Sequence, residues 1–374
     1  METQKLHNLI DKVIGTKGSL RTPAYWMRRV LNAIMEAITA ADNEVRELLY
    51  ALSDKTDNSV NSLSERIKEL EVAMLREKYL CFVALEDGLR VGFTLTCEYS
   101  LDGKEWTVLQ GSNDDKTPEI KKGERIWFRN TNYINGHSVG SFSASPRYSI
   151  EGNIMSMLYG DDSIRNLPMK PYAFRTLFSN QAFLIDASQL NLPATKLAPY
   201  CYAYMFYASG LINGPKELPA TTLADYCYDY MFCNCRELTK APELPAMNLA
   251  QGCYFGMFAY TYFKVAPELP ATTLAVDCYR EMFYCNYYLE TAPVLPALTL
   301  TDMCYAYMFF SCEKVSYVKA MFTSEPEGAT NSWLSGVSKT GTFVKNAAAT
   351  WDVTGPHGVP EGWTVETVEV VDNA

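Results

Sequence analysis

The chain has 374 residues, of which 20% are charged and 48% apolar, and its formal net charge is −10. A length and composition of this kind are typical of a globular chain with two to four domains. The acidic balance argues against broad nucleic-acid binding, which needs clustered Lys and Arg. The first residues include Glu2, Lys5 and Asp11 and no apolar run, so we expect neither a secretory signal peptide nor membrane insertion.

Residues 1–79 are predicted to be helical and to serve in oligomerisation and docking. Thr22-Pro23 reads as an N-cap followed by proline at the first helical position. Apolar residues then recur at spacings of three and four, break at 53–59 and resume in a shifted register, which is typical of a coiled coil. The predicted oligomerisation residues are Leu31, Ile34, Ile38, Val45, Leu48, Leu52, Val60, Leu63, Ile67 and Leu70. Val60 and Ile67 at heptad position a, with Leu63 and Leu70 at position d, favour a two-stranded coiled coil. A trimer is expected by analogy with viral fibres, and a hairpin within one chain is the alternative.

Residues 80–150 predict a small antiparallel β domain that acts as a spacer. Apolar and polar residues alternate over 91–99, and Asp-Gly or Asn-Gly pairs punctuate the segment at 87–88, 102–103 and 135–136. The clearest element is a hairpin at 101–106.

Residues 151–322 contain one sequence phrase five times. Each copy has Leu-Pro, then Cys-Tyr, then Met-Phe, and the step between copies is 26 residues except for one step of 25. A period of this length is typical of a solenoid, whose surfaces serve recognition. Residues 323–374, with four large aromatic residues among Gly and Pro, are predicted to cap it rather than continue it. The residues are Trp333, Phe343, Trp351 and Trp363.

Within each copy the spacing of apolar residues predicts a helix. Leu223, Cys227 and Met231 lie four apart, and a very short strand is expected at 238–241 before Pro242. Positions that vary between copies are expected to face solvent and to form a contact surface. The candidate ligand-binding residues are Tyr204, Asp229, Tyr230, Phe255, Arg280 and Tyr307. Aromatic side chains stack on sugars and anchor interfaces, but these rings can also pack between copies or subunits.

The sequence predicts no enzyme, no catalytic residue, no metal and no cofactor. Its three histidines lie in separate segments, and no nucleophile or phosphate-binding motif is present. The cysteine column is expected to be apolar core rather than a metal or redox site. It comprises Cys201, Cys227, Cys253, Cys278 and Cys304. The recurrent Glu217, Glu243 and Glu268 are expected to be solvated or paired rather than to bind calcium.

The phrase Leu-Pro-Ala-Thr-Thr-Leu-Ala-x-x-Cys-Tyr-x-x-Met-Phe, at 218–232 and 269–283, resembles the BspA-like leucine-rich repeats. These repeats occur in surface proteins of gut Bacteroidales and in fibre proteins of their phages. The resemblance covers about 150–365, including 341–345 and 362–365, and residues 21–31 are similar to N-terminal segments of such phage proteins. It implies a right-handed solenoid and adhesion rather than catalysis.

The expected fold is therefore an α+β multidomain chain with N-terminal coiled-coil helices, a small antiparallel β domain and a C-terminal leucine-rich-repeat-like solenoid. The expected function is that of a phage fibre or appendage protein, located in the virion. Its expected partners are further copies of itself, other virion proteins through the N-terminus, and a bacterial surface glycan or protein. A bacterial cell-surface adhesin and an intracellular protein-binding scaffold are the alternatives.

Overall fold

The structure is a computed structural model that describes residues 57–111, 115–130, 132–134, 136–165, 167–324 and 328–369, with side chains from residue 65 onward. The chain divides into two compact units, 1–73 and 74–374. Helix α1 (Asp57–Lys78) spans the boundary between them. Every strand among the described residues lies in the second unit.

The first part of this unit is built from strands. Their bounds are β1 Leu80–Ala84, β2 Arg90–Phe93, β3 Cys97–Ser100, β4 Thr107–Leu109, β5 Arg125–Arg129, β6 Phe142–Ser145, β7 Tyr148–Asn153 and β8 Leu184–Asn191. A six-stranded sheet has the order β4-β3-β5-β1-β7-β8, and β2 pairs with β6. The single-turn helix α2 (Ser156–Tyr159) and a 3-10 turn (Gly160–Ile164) follow β7.

The β region closes the first end of the solenoid. All pairings among β1 to β7 are antiparallel, but β7 pairs with β8 in parallel, and β8 is the first strand of the repeat region. Phe142 lies 4.8 Å from Phe82 and 5.6 Å from Phe178, measured between ring centroids. The two regions thus share one apolar core, so the β region is an end of the solenoid and not a separate spacer.

Each repeat forms a ladder of turns where a helix was predicted. The amide of Cys227 donates to the carbonyl of Ala224 at 3.2 Å, whereas the next amide, of Tyr228, donates to the carbonyl of Cys253 in the following copy at 3.0 Å. Amides alternate in this way along the segment. Every fourth residue has positive φ, as the third residue of a type II turn requires. In the second copy these residues are Tyr226, Tyr230 and Asn234.

The predicted α+β class is therefore wrong, because the described residues form a mainly β fold. A spacing of four between apolar residues is close to the helical 3.6, but it equally suits consecutive turns of four residues. In the turns, half of the amides are satisfied by the neighbouring copy, which an isolated sequence window does not reveal. The strand predicted at 238–241 is not formed either. Isolated parallel bridges such as Glu217 to Glu243 join the copies there instead.

The predicted coiled coil is not part of the described fold. Its residues from Leu31 to Leu52 lie outside the described residues, and Val60 and Leu63 lie in α1 where side chains are not described. Ile67 is half-buried and Leu70 is 56% exposed.

Aromatic columns run through the core of the repeats. Tyrosine rings of successive copies stack with centroids 5.6–6.1 Å apart and interplanar angles of 0–13°. A parallel column of phenylalanines stacks at 5.3–6.0 Å. The tyrosines are Tyr202, Tyr228, Tyr254, Tyr279 and Tyr305, and the phenylalanines are Phe206, Phe232, Phe258, Phe283 and Phe309. All ten are fully buried, so the repeated words of the sequence are core positions.

The C-terminal residues continue the array before they close it. Strands β9 (Val294–Leu295), β10 (Tyr317–Ala320), β11 (Thr342–Asn346) and β12 (Thr364–Val368) form one parallel sheet. Trp333 stacks on Tyr305 at 6.1 Å and donates its indole N–H to the carbonyl of Gly358. The amide of Ser332, at a position whose equivalents bond to the next copy, donates to Nδ1 of His357. The expectation that this segment cannot continue the array is thus wrong for its strands. Residues 357–358 do close the array, because they accept the hydrogen bonds of Ser332 and Trp333.

Candidate recognition surface

The ladder of turns places one side of every copy at the surface, which we call the turn face (residues 199–208 and their equivalents in later copies). Three positive-φ residues per copy bend the backbone there, so the intervening side chains alternate between the core and the outside. The Cys, Tyr, Met and Phe of the repeated phrase take the inner positions and are buried in all five copies. The residues between them differ from copy to copy, and they are buried in some copies and half-buried in others.

Four of the six predicted ligand-binding residues form one continuous row on this face. The rings of Tyr204 and Tyr230 stack with centroids 5.2 Å apart, and Tyr230 meets Phe255 edge-on at 5.1 Å. The guanidinium of Arg280 lies 5.2 Å from the centroid of Phe255. All four side chains are half-buried. Much of each ring is therefore covered by its neighbour, so these side chains contribute to packing between copies as well as to the surface.

Asp229, which precedes Tyr230 in the chain, is 8% exposed, and its Oδ1 has no hydrogen-bond partner. Burial raises the pKa of Asp229 to about 7, against the opposing effect of the Arg175 charge and with a further rise from Glu281. Glu281 accepts a hydrogen bond of 2.9 Å from the hydroxyl of Tyr230 and lies 3.5 Å from Nε of Arg280. The row thus has two carboxyl groups near it: that of Asp229, whose pKa is raised, and that of Glu281, which is paired with Tyr230 and Arg280.

Tyr307, the sixth predicted residue, lies apart from this row. Its ring contacts Phe310 with centroids 6.1 Å apart. The expectation that variable positions face solvent is wrong for the column of Asp229, because Ala203 and Ala306 in the same column are fully buried. The expectation is right for the variable position two residues before each column cysteine. All five residues at this position are exposed: Pro199, Asp225, Gln251, Val276 and Asp302.

The sequence predicts that Tyr260, Tyr284, Tyr287 and Tyr288 are exposed aromatic residues that either bind a ligand or pack between copies, but it does not group them into one site. In the structure they belong to a second aromatic group, which lies where the turn face ends in copies three and four. We call it the tyrosine corner, and it comprises Tyr260, Tyr262, Tyr284, Tyr287 and Tyr288. Three of these are clearly exposed, Tyr260 by 38%, Tyr287 by 39% and Tyr288 by 45%. Tyr260 meets Tyr284 at 5.6 Å, and Tyr262 meets Tyr288 at 5.1 Å.

The signal that identifies the tyrosine corner is the sequence between two buried anchors. In copy four these anchors are Asn286 and Leu289, both fully buried, and the residues between them are Tyr287 and Tyr288. Copies two and five have Arg236-Glu237 and Glu313-Lys314 between the corresponding anchors. Burial, which the sequence does not give, is needed to align these corners, because their lengths differ.

All eleven cysteines are buried free thiols. Burial raises the pKa of Cys227 to about 12 and that of Cys304 to about 11, so both are thiols at neutral pH. The thiol of Cys235 donates to the carbonyl of Phe206 at 3.0 Å. Among the residues that the structure describes, no group of three or more His, Cys, Asp or Glu side chains is placed to hold a metal ion. Glu217, Glu243 and Glu268 are exposed, in agreement with the expectation that they are solvated.

A cleft of about 460 Å³ lies on the sheet side of copy five. Its walls are largely apolar, and Lys319 and Glu369 are the ionisable residues at its lining. The apolar residues are Val294, Pro296, Leu298, Met321 and Val368. The cleft has the volume of a small-molecule site, but it carries no arrangement of nucleophile and base.

No protein-family model, curated protein or solved structure matches this chain. The resemblance to BspA-like repeats therefore remains a prediction from the sequence. Within residues 57–369, as far as the structure describes them, no helix has both the length and the apolar composition needed to cross a membrane.

Proposed function

We propose that this chain is a structural fibre or appendage protein of a phage virion, which binds a bacterial surface through the turn face of its solenoid. The observation that carries the proposal is the turn face itself. Its backbone conformation is almost the same in every copy, whereas its side chains differ. One equivalent position, for example, is occupied by Tyr204, Tyr230, Gly256 and Glu281 in copies one to four. A rigid frame with variable outward side chains is how solenoid proteins build binding surfaces.

The proposal includes self-association and attachment to other virion proteins through the N-terminal region. Several chains held together multiply weak contacts, and this raises apparent affinity by ~10²–10⁴ when the geometry permits simultaneous binding. Shallow aromatic surfaces such as the Tyr204 row are then sufficient for attachment. Light scattering on the full chain should give a mass that is a multiple of its 42.1 kDa.

Two measurements test the proposal. Immunogold electron microscopy of purified particles and of fractionated cells should place the label on particles. Purified full-length chain should bind host cells, and the variant Phe255→Ala with Arg280→Ala should bind more weakly. Val265→Ala, a change at an exposed position outside the turn face, should bind as the unmodified chain does. Label confined to the cell envelope would favour the bacterial adhesin, and absence of cell binding would refute surface attachment.

A further inference from the structure

We infer that the tyrosine corner binds a neutral sugar chain. This inference rests on the proposed function and deepens it by naming the class of ligand and the place where it binds. The corner is separate from the row formed by Tyr204, Tyr230 and Phe255, and its exposed rings are not needed to build the solenoid.

The comparison between copies carries the first step. Corner positions in copies two and five hold exposed charged residues, Arg236-Glu237 and Glu313-Lys314, so the fold accepts charged side chains there. Copy four holds Tyr287 and Tyr288, which leave 39% and 45% of their surface in water. Since charged residues fit the fold equally well at these positions, exposing tyrosine rings there does not stabilise the protein. Clusters of exposed aromatic residues commonly mark interaction sites.

The size and chemistry of the corner indicate the ligand. Three rings exposed by about 40% offer on the order of 250 Å², far less than the roughly 800 Å² per partner of a stable protein interface. A ligand of one to a few sugar units fits this area. Tyrosine joins an apolar ring face to a hydroxyl, which matches the C–H faces and hydroxyl groups of a sugar.

Polar groups at the rim of the corner favour an uncharged ligand. The ammonium group of Lys264 lies 3.3 Å from the carboxylate of Glu290, and that of Lys314 lies 4.0 Å from the same carboxylate. Lys314 also lies 4.9 Å from the centroid of the Tyr288 ring. With Glu313 alongside, these charges balance, so they can bond to hydroxyl groups without selecting an ionic partner.

Ring contacts join the corner to the next copy. Tyr260 meets Tyr284 edge-on at 5.6 Å, and Tyr284 stacks face to face on Phe310 of copy five at 5.0 Å. Tyr284 and Phe310 are half-buried. The ring surface open to a sugar is therefore that of Tyr260, Tyr287 and Tyr288.

The test uses the full chain and two matched double variants. Tyr287→Ala with Tyr288→Ala removes the corner of copy four, and Arg236→Ala with Glu237→Ala makes the same truncation at the corner of copy two. Binding is measured to an array of neutral hexose and N-acetylhexosamine oligosaccharides, and to host cells that are untreated, periodate-oxidised or protease-treated. Thermal unfolding of each variant is followed by circular dichroism.

We expect the unmodified chain and the copy-two variant to bind oligosaccharides on the array, and the copy-four variant to bind at least tenfold more weakly with an unchanged melting temperature. If the double variant unfolds, the single change Tyr287→Ser is measured in its place and should show the same loss. Cell binding that survives periodate but not protease would overturn the sugar inference and leave the proposed function standing. Failure of the chain to bind any cells would overturn both.

Discussion

The hydroxyl of Tyr230 donates a hydrogen bond of 2.9 Å to Glu281, a residue two copies further along the solenoid. The residue between them in the same column is Gly256, whose φ is +55°. A Cβ atom at this position would lie 2.3 Å from the Tyr230 ring. The absence of a side chain in copy three is thus what allows copies two and four to be joined across the turn face.

The first prediction concerns this bridge. Gly256→Ala should lower the free energy of unfolding by on the order of 1–3 kcal/mol, because it displaces the Tyr230 ring and adds a left-handed alanine. Gly123→Ala is the control, since its φ is +87° but nothing lies within 4 Å of the added Cβ. Urea unfolding of both variants separates the steric effect from the backbone effect. Equal losses in the two variants would show that the Tyr230 ring is not constrained by Gly256.

The second prediction is a dependence of stability on pH through Asp229. Its pKa is raised to about 7 in the folded protein, against about 3.9 for an unperturbed aspartate. Between these values the folded chain holds a proton that the unfolded chain has released. The stabilisation is complete below about pH 4 and is lost as the pH rises through about 7, amounting to on the order of a few kcal/mol.

Asp229→Asn tests this directly, because an amide stays neutral throughout the range. Chemical unfolding at intervals between pH 4 and pH 8, about the window set by the two pKa values, should show a steeper loss for the unmodified chain than for the variant. Parallel profiles would mean that the carboxyl group of Asp229 is solvated or paired in solution.

The third prediction concerns the cysteines. All eleven are buried thiols, so a thiol reagent should label few of them in the native chain at neutral pH and all of them in denaturant. Cys253→Ser should cost about 1–3 kcal/mol, because Cys253 is fully buried and a hydroxyl there has no assured partner. Rapid native labelling of the column cysteines, or loss of structure on adding a chelator, would contradict this assignment.

The fourth prediction concerns the aromatic columns. Phe258 stacks between Phe232 and Phe283, with centroids 5.7 Å and 6.0 Å away. Phe258→Ala should therefore cost about 3–5 kcal/mol. Val276→Ala, at a position 38% exposed, should change stability by less than about 0.5 kcal/mol. A loss at Phe258 no greater than that at Val276 would show that the columns are not the main support of the solenoid.

The sequence alone determined the repeat array, its period and its core. Residues that recur in every copy, such as Cys227, Tyr228 and Met231, are the buried ones. This follows because each copy packs on a neighbour that has the same backbone. The hairpin between β3 and β4 was also predicted correctly from Asp102-Gly103, since Gly103 has positive φ and the flanking strands pair. Local chemistry and repetition are sufficient for both.

Only the tertiary structure decided how the repeated phrase is folded and which variable residues meet. A spacing of four suits a helix or a ladder of turns, and the choice depends on amides such as that of Tyr228 bonding to the next copy. The bridge from Tyr230 over Gly256 to Glu281 joins residues 51 positions apart. Such contacts depend on how the copies stack, because stacking places distant residues side by side and covers some variable positions while exposing others.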